Sequence, residues 1–193
     1  MSIRVLLHCC CGPCALYPLK ALRERGHEIS GFFYNPNIHP YQEYIKRRAA
    51  FVEMARREAL PTVNQVSEAN LEYGLDVFMG SISGIGVGAY EPVSKERCRI
   101  CYRIRLEKTA ELCDELAYDA FSTSLLVSPY QDHEMIKDIG GEIAAGRGLK
   151  FLYEDFRPGY YQGRSMAREA GLYAQAYCGC VFSEWERYEA KKR

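Results

Sequence analysis

The chain has no net charge: 25 Lys and Arg balance 25 Asp and Glu over 193 residues. Nucleic-acid binding through bulk charge is thereby excluded, and any such contact must be a local patch. Long apolar runs are missing as well. The N-terminal run Val5-Leu6-Leu7 is too short for a signal peptide or a membrane helix, and no other stretch approaches spanning length. The expected location is therefore cytoplasmic. Repeats, low-complexity tracts and convincing linkers are lacking, so 1–193 is expected to form one α/β domain, closed by Cys178-Gly179-Cys180 and a helix within 178–193. A phosphate loop is lacking too. Gly84, Gly86 and Gly88 follow no predicted strand and precede no Lys-Ser/Thr pair. There is no Cys/His finger spacing.

What the chain has is cysteine, nine in all. In a reducing compartment these imply metal or redox chemistry rather than disulfides. Four sit in His8-Cys9-Cys10-Cys11-Gly12-Pro13-Cys14, directly after the apolar run. Three consecutive cysteines cannot all face one core. The run reads as a strand (Ile3 to His8), and Gly-Pro reads as the turn into a helix (Pro13 to about Arg25). The cysteines then lie at a carboxyl strand end and a helix N-terminus, where unsatisfied N–H groups favour thiolate. Ligands bind at such ends in open α/β sheets.

Further strands are expected at Glu28 to Tyr34, Thr62 to Val66, Ala120 to Ser122 and Lys150 to Tyr153. Helices are expected at Tyr41 to Leu60, Glu68 to Phe78, Pro92 to Leu116, Pro129 to about Ala145, Gln162 to Ala170 and Phe182 to Lys192. Gly80 to Gly88 reads as a flexible loop. The alternation points to a doubly wound, mostly parallel sheet with helices on both faces.

Two more cysteine clusters follow. Cys98 and Cys101 are three apart on a predicted helix and share a face, among Arg97, Arg99, Arg103 and Arg105. Cations there lower thiol pKa values and offset thiolate charge. Cys178 and Cys180 form the third cluster, and Cys113 reads as a core residue. A closed zinc site or a four-iron, four-sulfur cluster needs four ligands. One four-ligand site leaves cysteines over, which points to a second metal or a redox dithiol. The adjacent Cys10-Cys11 pair suits a single tetrahedral zinc poorly.

The chain resembles the cobalamin-independent epoxyqueuosine reductases, the QueH family. The resemblance rests on His8-x-Cys10-Cys11-Gly12-Pro13-Cys14, Arg97-Cys98-x-x-Cys101-Tyr102-x-x-Arg105-Leu106 and Ser122-Thr123-Ser124-Leu125-x-x-Ser128-Pro129-Tyr130. It continues in Asp155-Phe156-Arg157 and Tyr173-x-Gln175-x-Tyr177-Cys178-Gly179-Cys180-x-x-Ser183. It implies the nucleotide-binding α/β fold of the PP-loop ATPases (the HUP fold). Cysteines stand where those proteins carry their phosphate loop, which argues against ATP use. It further implies reduction of the epoxide of epoxyqueuosine to queuosine at the wobble position of GUN-anticodon tRNA. The implied cofactors are a [4Fe-4S] cluster and an adjacent mononuclear metal, iron in preference to zinc. The matching ligands are Cys10, Cys11, Cys14, Cys98, Cys101, Cys178 and Cys180. Cys9 falls at a variable position. Cys14 is assigned by preference to the mononuclear metal, and the other six stay undivided.

Removing an epoxide oxygen needs two electrons, a Lewis acid and protons. Asp155 is the first candidate acid, with Tyr130 and Tyr177 as alternatives. Arg105, Arg157 and Tyr177 are expected against the substrate. Tyr102, Tyr130, Tyr160, Tyr161 and Tyr177 could hold an unstacked base. Lys46-Arg47-Arg48, Arg97 to Arg105 and Lys191-Lys192-Arg193 could meet phosphates. A small ferredoxin or flavodoxin is the expected electron donor. Two other readings compete: a persulfide-carrying tRNA sulfurtransferase using Cys10 or Cys11, and a zinc-binding RNA-binding module.

Overall fold

A computed structural model gives the structure, which describes residues 2–63, 73–83, 85 and 95–189. Strands β1 (Arg4–His8), β2 (Glu28–Phe32), β3 (Ala120–Thr123) and β4 (Lys150–Phe151) form a parallel sheet in the order β2-β1-β3-β4. Val5, Leu6 and Leu7 are all fully buried. Both sides of the sheet are therefore covered, which is why a parallel strand reads as a continuous apolar run rather than an alternating one.

Helix α1 (Gly12–Glu24) joins β1 to β2. Helices α2 (Tyr41–Arg57), α3 (Leu75–Ile82) and α4 (Lys95–Glu115) precede β3, and α5 (His133–Arg147) joins β3 to β4. Helices α6 (Tyr160–Glu169) and α7 (Val181–Glu189) end the described chain. The β1-to-β2 and β3-to-β4 connections step outward in opposite directions, so right-handed crossovers set α1 and α5 on opposite faces. Helices α2 and α6 pack on α1, and α4 packs on α5 and β1. The doubly wound arrangement expected from the sequence is present.

Between β1 and β3 the chain leaves the sheet in opposite directions. This topological switch point opens a crevice at the carboxyl ends of the two strands. The loop Cys9-Cys10-Cys11 enters it from β1, and Ser124 enters it from β3, at the head of the 3-10 turn Ser124–Val127. The Cys10 N–H donates to Ser124 Oγ at 3.0 Å. Helix α1 starts where it does because Cys11 caps it: its Sγ accepts from the Cys14 N–H at 3.4 Å, with proline in the first turn.

Gly12 lets α1 meet α2 closely, since a Cβ there would lie 2.3 Å from the Ala50 carbonyl oxygen. Gly12→Ala is expected to cost about 1–3 kcal/mol through overpacking, read as a lower denaturation midpoint at unchanged slope.

Several boundaries differ from expectation. The segment 75–82 is helical, so Gly80, Ser81 and Ile82 belong to α3 rather than to a flexible loop. Phe78 and Ile82, one turn apart, bury themselves with Cys101 and Cys180, and that packing outweighs the local glycine. The rest of the Glu68-to-Phe78 prediction (68–72) and most of the glycine loop (84 and 86–88) lie outside the described residues. Helix α5 starts at His133, because the Asp132 side chain accepts from the Met135 N–H at 3.1 Å and Pro129 lies in the preceding turn. Of the predicted strand from Thr62, a single parallel bridge to Gly31 is formed; 64–66 are not described.

Candidate metal centre

The Sγ atoms of Cys10, Cys11 and Cys14 lie within 4.8 Å of one another. Backbone alternation turns Cys9 the other way, into the core, where its thiol donates to the Leu7 carbonyl at 3.3 Å and burial raises its pKa. The three remaining sulfurs do not behave alike. Hydrogen bonds from Cys11 and Cys14, with a further one from Ser124, hold Cys10 well below the usual thiol range. Burial holds Cys11 well above it. The hydrogen bond with Cys10 raises Cys14. A divalent cation would replace the shared protons of this trio.

His8 orders the floor of the crevice. Its Nε2 donates to the Tyr34 carbonyl at 3.0 Å, so its Nδ1 accepts from Thr123 Oγ1 at 2.9 Å. Burial, helped by the charge of Arg105, lowers its pKa to about 4, and the imidazole is neutral.

A second group gathers Cys98 and Cys101 of α4 with Cys178 and Cys180. Cys101 and Cys180 share one apolar cluster, and burial, with the nearby Cys180 sulfur adding to it, raises Cys98, Cys101 and Cys178. Burial pushes Cys101 up to about 12. The Cys178–Cys180 strap can lie here because Gly179 adopts φ +144 and a Cβ would stand 3.1 Å from Arg47 Nη1.

Two guanidiniums that are almost wholly buried link the groups. Arg105 donates to Cys101 Sγ at 3.2 Å and to the Cys101 carbonyl at 2.9 Å. Burial opposes its charge, but the sulfurs of Cys101, Cys178 and Cys10 outweigh that and raise its pKa. Arg47 donates to the carbonyls of Cys178 at 2.6 Å and Tyr177 at 3.0 Å, and pairs with Glu43 at 2.7 Å. Its pKa too is raised: burial opposes the charge, while Cys11, Glu43 and Cys10 favour it. Gln175 and Gln131 each reach one sulfur, one in each group. Gln175 Nε2 donates to Cys14 Sγ at 3.0 Å, and Gln131 Nε2 to Cys178 Sγ at 3.6 Å. Gln131 Oε1 accepts from the Tyr102 hydroxyl, whereas Gln175 Oε1 is buried without a partner among the described residues.

A cavity of about 1030 Å³ opens beside both groups and is lined by Cys10, Cys14, Cys178, Ser124, Tyr130 and Tyr177, among others.

The structure thus brings the seven expected cysteines to one region and keeps Cys9 and Cys113 in the core; Cys113 donates to the Tyr118 carbonyl at 3.6 Å. Tyr130 and Tyr177 line the cavity. The Tyr177 hydroxyl is held by the His39 carbonyl. Arg105, expected against the substrate, is sealed against Cys101 instead. Asp155 and Arg157 pair with each other at 2.6 Å and do not line the cavity. Arg157 holds the Asp155 carboxyl down at about 2, so it is ionised. The basic run Lys46-Arg47-Arg48 was expected at phosphates, but Arg47 is consumed internally. Sequence reasoning gave no role to Gln131, Gln175 or Ser124, although all three fall in or beside the motifs; an uncharged amide carries no signal until its partner sulfur is in place.

The Asp155 pair has a pH signature. Its carboxyl titrates lower in the fold than the ordinary value of about 4, so its contribution is present above pH about 4 and lost as pH falls through about 2. The pair is exposed, so the effect is small, below about 1 kcal/mol. The stability gap between wild type and Asp155→Asn should therefore close between those two values in acid unfolding curves.

Fold and site together define a class: a parallel α/β protein whose strand switch point carries three convergent cysteines able to bind a metal, beside an open cavity. The chain belongs to the QueH family. The family model described as "Epoxyqueuosine reductase QueH" matches residues 5–186. Relatives named epoxyqueuosine reductase QueH include one from Dehalococcoides mccartyi, 35% identical over 97% of this chain and 96% of its own. Another, from Thermotoga maritima, is 37% identical over 96% and 92%. The one from Helicobacter pylori is 35% identical over 98% of this chain and 51% of its own. A solved structure from Methanocaldococcus jannaschii, titled a predicted subunit of tRNA methyltransferase, shares the fold, with TM-score 0.52, 14% identity and coverage of 98% and 87%.

Proposed function

We infer that this protein reduces the epoxide of epoxyqueuosine in tRNA to the alkene of queuosine. The observation that carries the reading is the meeting of two cysteine groups at one cavity in a chain of this family. Neither a persulfide carrier nor a zinc-based RNA-binding module is favoured by that family.

The residues fit two metal groups. Cys98, Cys101, Cys178 and Cys180 supply the four thiolates that a [4Fe-4S] cluster requires. Cys10, Cys11 and Cys14 supply three ligands and leave a fourth position open, as a catalytic metal needs. The unpartnered Gln175 Oε1 beside Cys14 fits a site completed by a further group. When bound, these groups would deliver electrons singly and polarise the epoxide oxygen.

The chain's own residues do the rest. Arg105 and Arg47 offset thiolate charge where water cannot. Gln175 and Gln131 orient the cavity-side sulfurs. Tyr130, whose hydroxyl the cavity can present to a departing oxygen, is the better-placed proton donor; Asp155 is already ionised and outside the cavity. A small ferredoxin or flavodoxin would supply the electrons, and the setting is the cytoplasm.

The test is anaerobic purification with iron and acid-labile sulfide analysis, then single-turnover reduction of epoxyqueuosine-containing tRNA. Stoichiometric iron and sulfide with loss of the epoxide support the reading; stoichiometric zinc without sulfide overturns it. Tyr130→Phe should lower the rate about 10²-fold or more if its hydroxyl is the acid.

A further inference from the structure

The geometry points to the outer wall of the cavity as a stacking platform for an unpaired RNA base next to the nucleotide being reduced. This rests on the tRNA reading above and goes further, because it names the surface that holds the strand.

The wall is a row of tyrosines. Tyr130 and Tyr160 meet edge to face at 6.2 Å and 83°, and Tyr160 and Tyr161 at 5.2 Å and 73°. Tyr130 and Tyr161 are each 81% exposed, far more than the other tyrosines of the cavity region. Apolar rings left open in a row beside a cleft mark a binding surface. The Arg164 guanidinium lies 5.7 Å over the Tyr160 ring and donates to its hydroxyl at 3.1 Å.

The charges agree. Arg164, Arg168 and Arg187 line the cavity, and none of the three pairs with a carboxylate among the described residues. Away from the cavity, Arg103 pairs with Glu142 and Arg57 with Glu53. Three guanidiniums without a carboxylate partner among the described residues thus stand beside the tyrosines. Ring faces for bases together with free cations for phosphates are what an unpaired strand requires.

The platform is rigid. Helix α6 repeats Tyr160, Arg164 and Arg168 on the cavity side, while Gly159 and Gly163 press against Tyr17 of α1. A Cβ at Gly159 would lie 2.1 Å from that ring, so α6 is seated at a fixed distance from the Cys14 helix. At about 1030 Å³ the cavity is at the top of the range for one small ligand, and it has room for a neighbour beside the reacting nucleoside. Of the five tyrosines the sequence offered for base contact, Tyr102 is buried and Tyr177 is tied to His39, which leaves these three.

The experiment is equilibrium binding of the anaerobically prepared, metal-loaded protein to two probes: an RNA stem–loop with a GUN anticodon in its loop, and a blunt duplex of the same stem. Tyr161→Ala should weaken stem–loop binding at least about tenfold and leave duplex binding unchanged, with Tyr161→Trp restoring it. Arg164→Gln should weaken binding and flatten its salt dependence by about one counterion. Iron content of both variants should match the wild type. Stem–loop affinity unchanged in Tyr161→Ala overturns the platform, as does an equal loss on both probes. Epoxide reduction by the wild type is scored separately. A wild type that binds the loop through Tyr161 yet reduces nothing would sink the proposed reaction and leave the platform standing.

Discussion

Cys180→Ala is expected to abolish acid-labile sulfide and turnover together, whereas Cys14→Ala should keep the sulfide and lose turnover with the additional iron. The two cysteine groups differ in how their sulfurs are arranged. Cys10, Cys11 and Cys14 converge within 4.8 Å, a span that suits one ion. Among the described residues Cys98, Cys101, Cys178 and Cys180 do not converge so tightly, and the proposal gives them the wider polynuclear cluster. Removing one thiolate of four leaves an exchangeable iron and a cluster prone to dissolve. Removing one of three leaves the other group's ligands untouched. Cys9→Ala and Cys113→Ala serve as comparisons: both sulfurs are buried in the core and hydrogen-bonded only to backbone. They should retain both metal signals and lose about 1 kcal/mol of stability. Iron-to-sulfide ratios for the four variants decide the matter, and sulfide retained at wild-type level in Cys180→Ala would falsify the division.

The second large effect is expected at Arg47. Arg47→Met should cost about 3–5 kcal/mol and reduce iron retention. Its guanidinium is 1% exposed and touches three acceptors: the Glu43 carboxylate and the carbonyls of Tyr177 and Cys178. Methionine fills much of the volume but donates nothing. It leaves a carboxylate that is 7% exposed with the Tyr173 hydroxyl but without its guanidinium, and frees the strap that carries Cys178 and Cys180. Arg47→Lys should recover part of the charge and little of the geometry, because an ammonium cannot span the acceptors as a planar fork does. Chemical denaturation of the metal-loaded protein together with iron analysis reads both effects. A double variant, Glu43→Gln with Arg47→Met, should be less destabilised than Arg47→Met alone, since the stranded charge is gone.

Both predictions show which parts of the site can be read along the chain. The cysteine clusters are legible because thiolate ligation depends on residue type and spacing, and Gly12-Pro13 announces the helix that receives them. The parallel sheet is legible because Val5-Leu6-Leu7 shows the continuous apolar run of a strand buried on both sides. Arg47, expected at phosphates, and Arg105, expected both beside the thiolates and against the substrate, turn inward for a physical reason. A buried cation and a phosphate-binding cation look alike in sequence; for Arg47 only the long-range placement of Tyr177 and Cys178 against α2 separates them, whereas Arg105 meets Cys101 one turn away on its own helix. Asp155 fails in a similar way. A carboxylate at a strand end is a fair acid until Arg157, two residues on, turns back to pair with it. Helix α3 runs past its expected end at Phe78 because Phe78 and Ile82 are buried against Cys101 and Cys180, a contact between distant segments.

Helix α7 buries none of its residues. Arg97 grips its Glu186 at 2.7 Å and covers its Phe182 ring, and its Ser183 bonds to Gly179 and Cys180 of the strap. A cluster held across α4 and the strap, as proposed, would be a rivet between distant stretches of chain and would close a long loop. Assembly then has an order. On the proposed ligand assignment, the sheet and α1 to α6 would form from their own core, and the tail would dock when iron and sulfide arrive. Oxygen that dissolves the cluster would undo the last step first, so the tail of an oxidised sample should be the first segment cut in limited proteolysis.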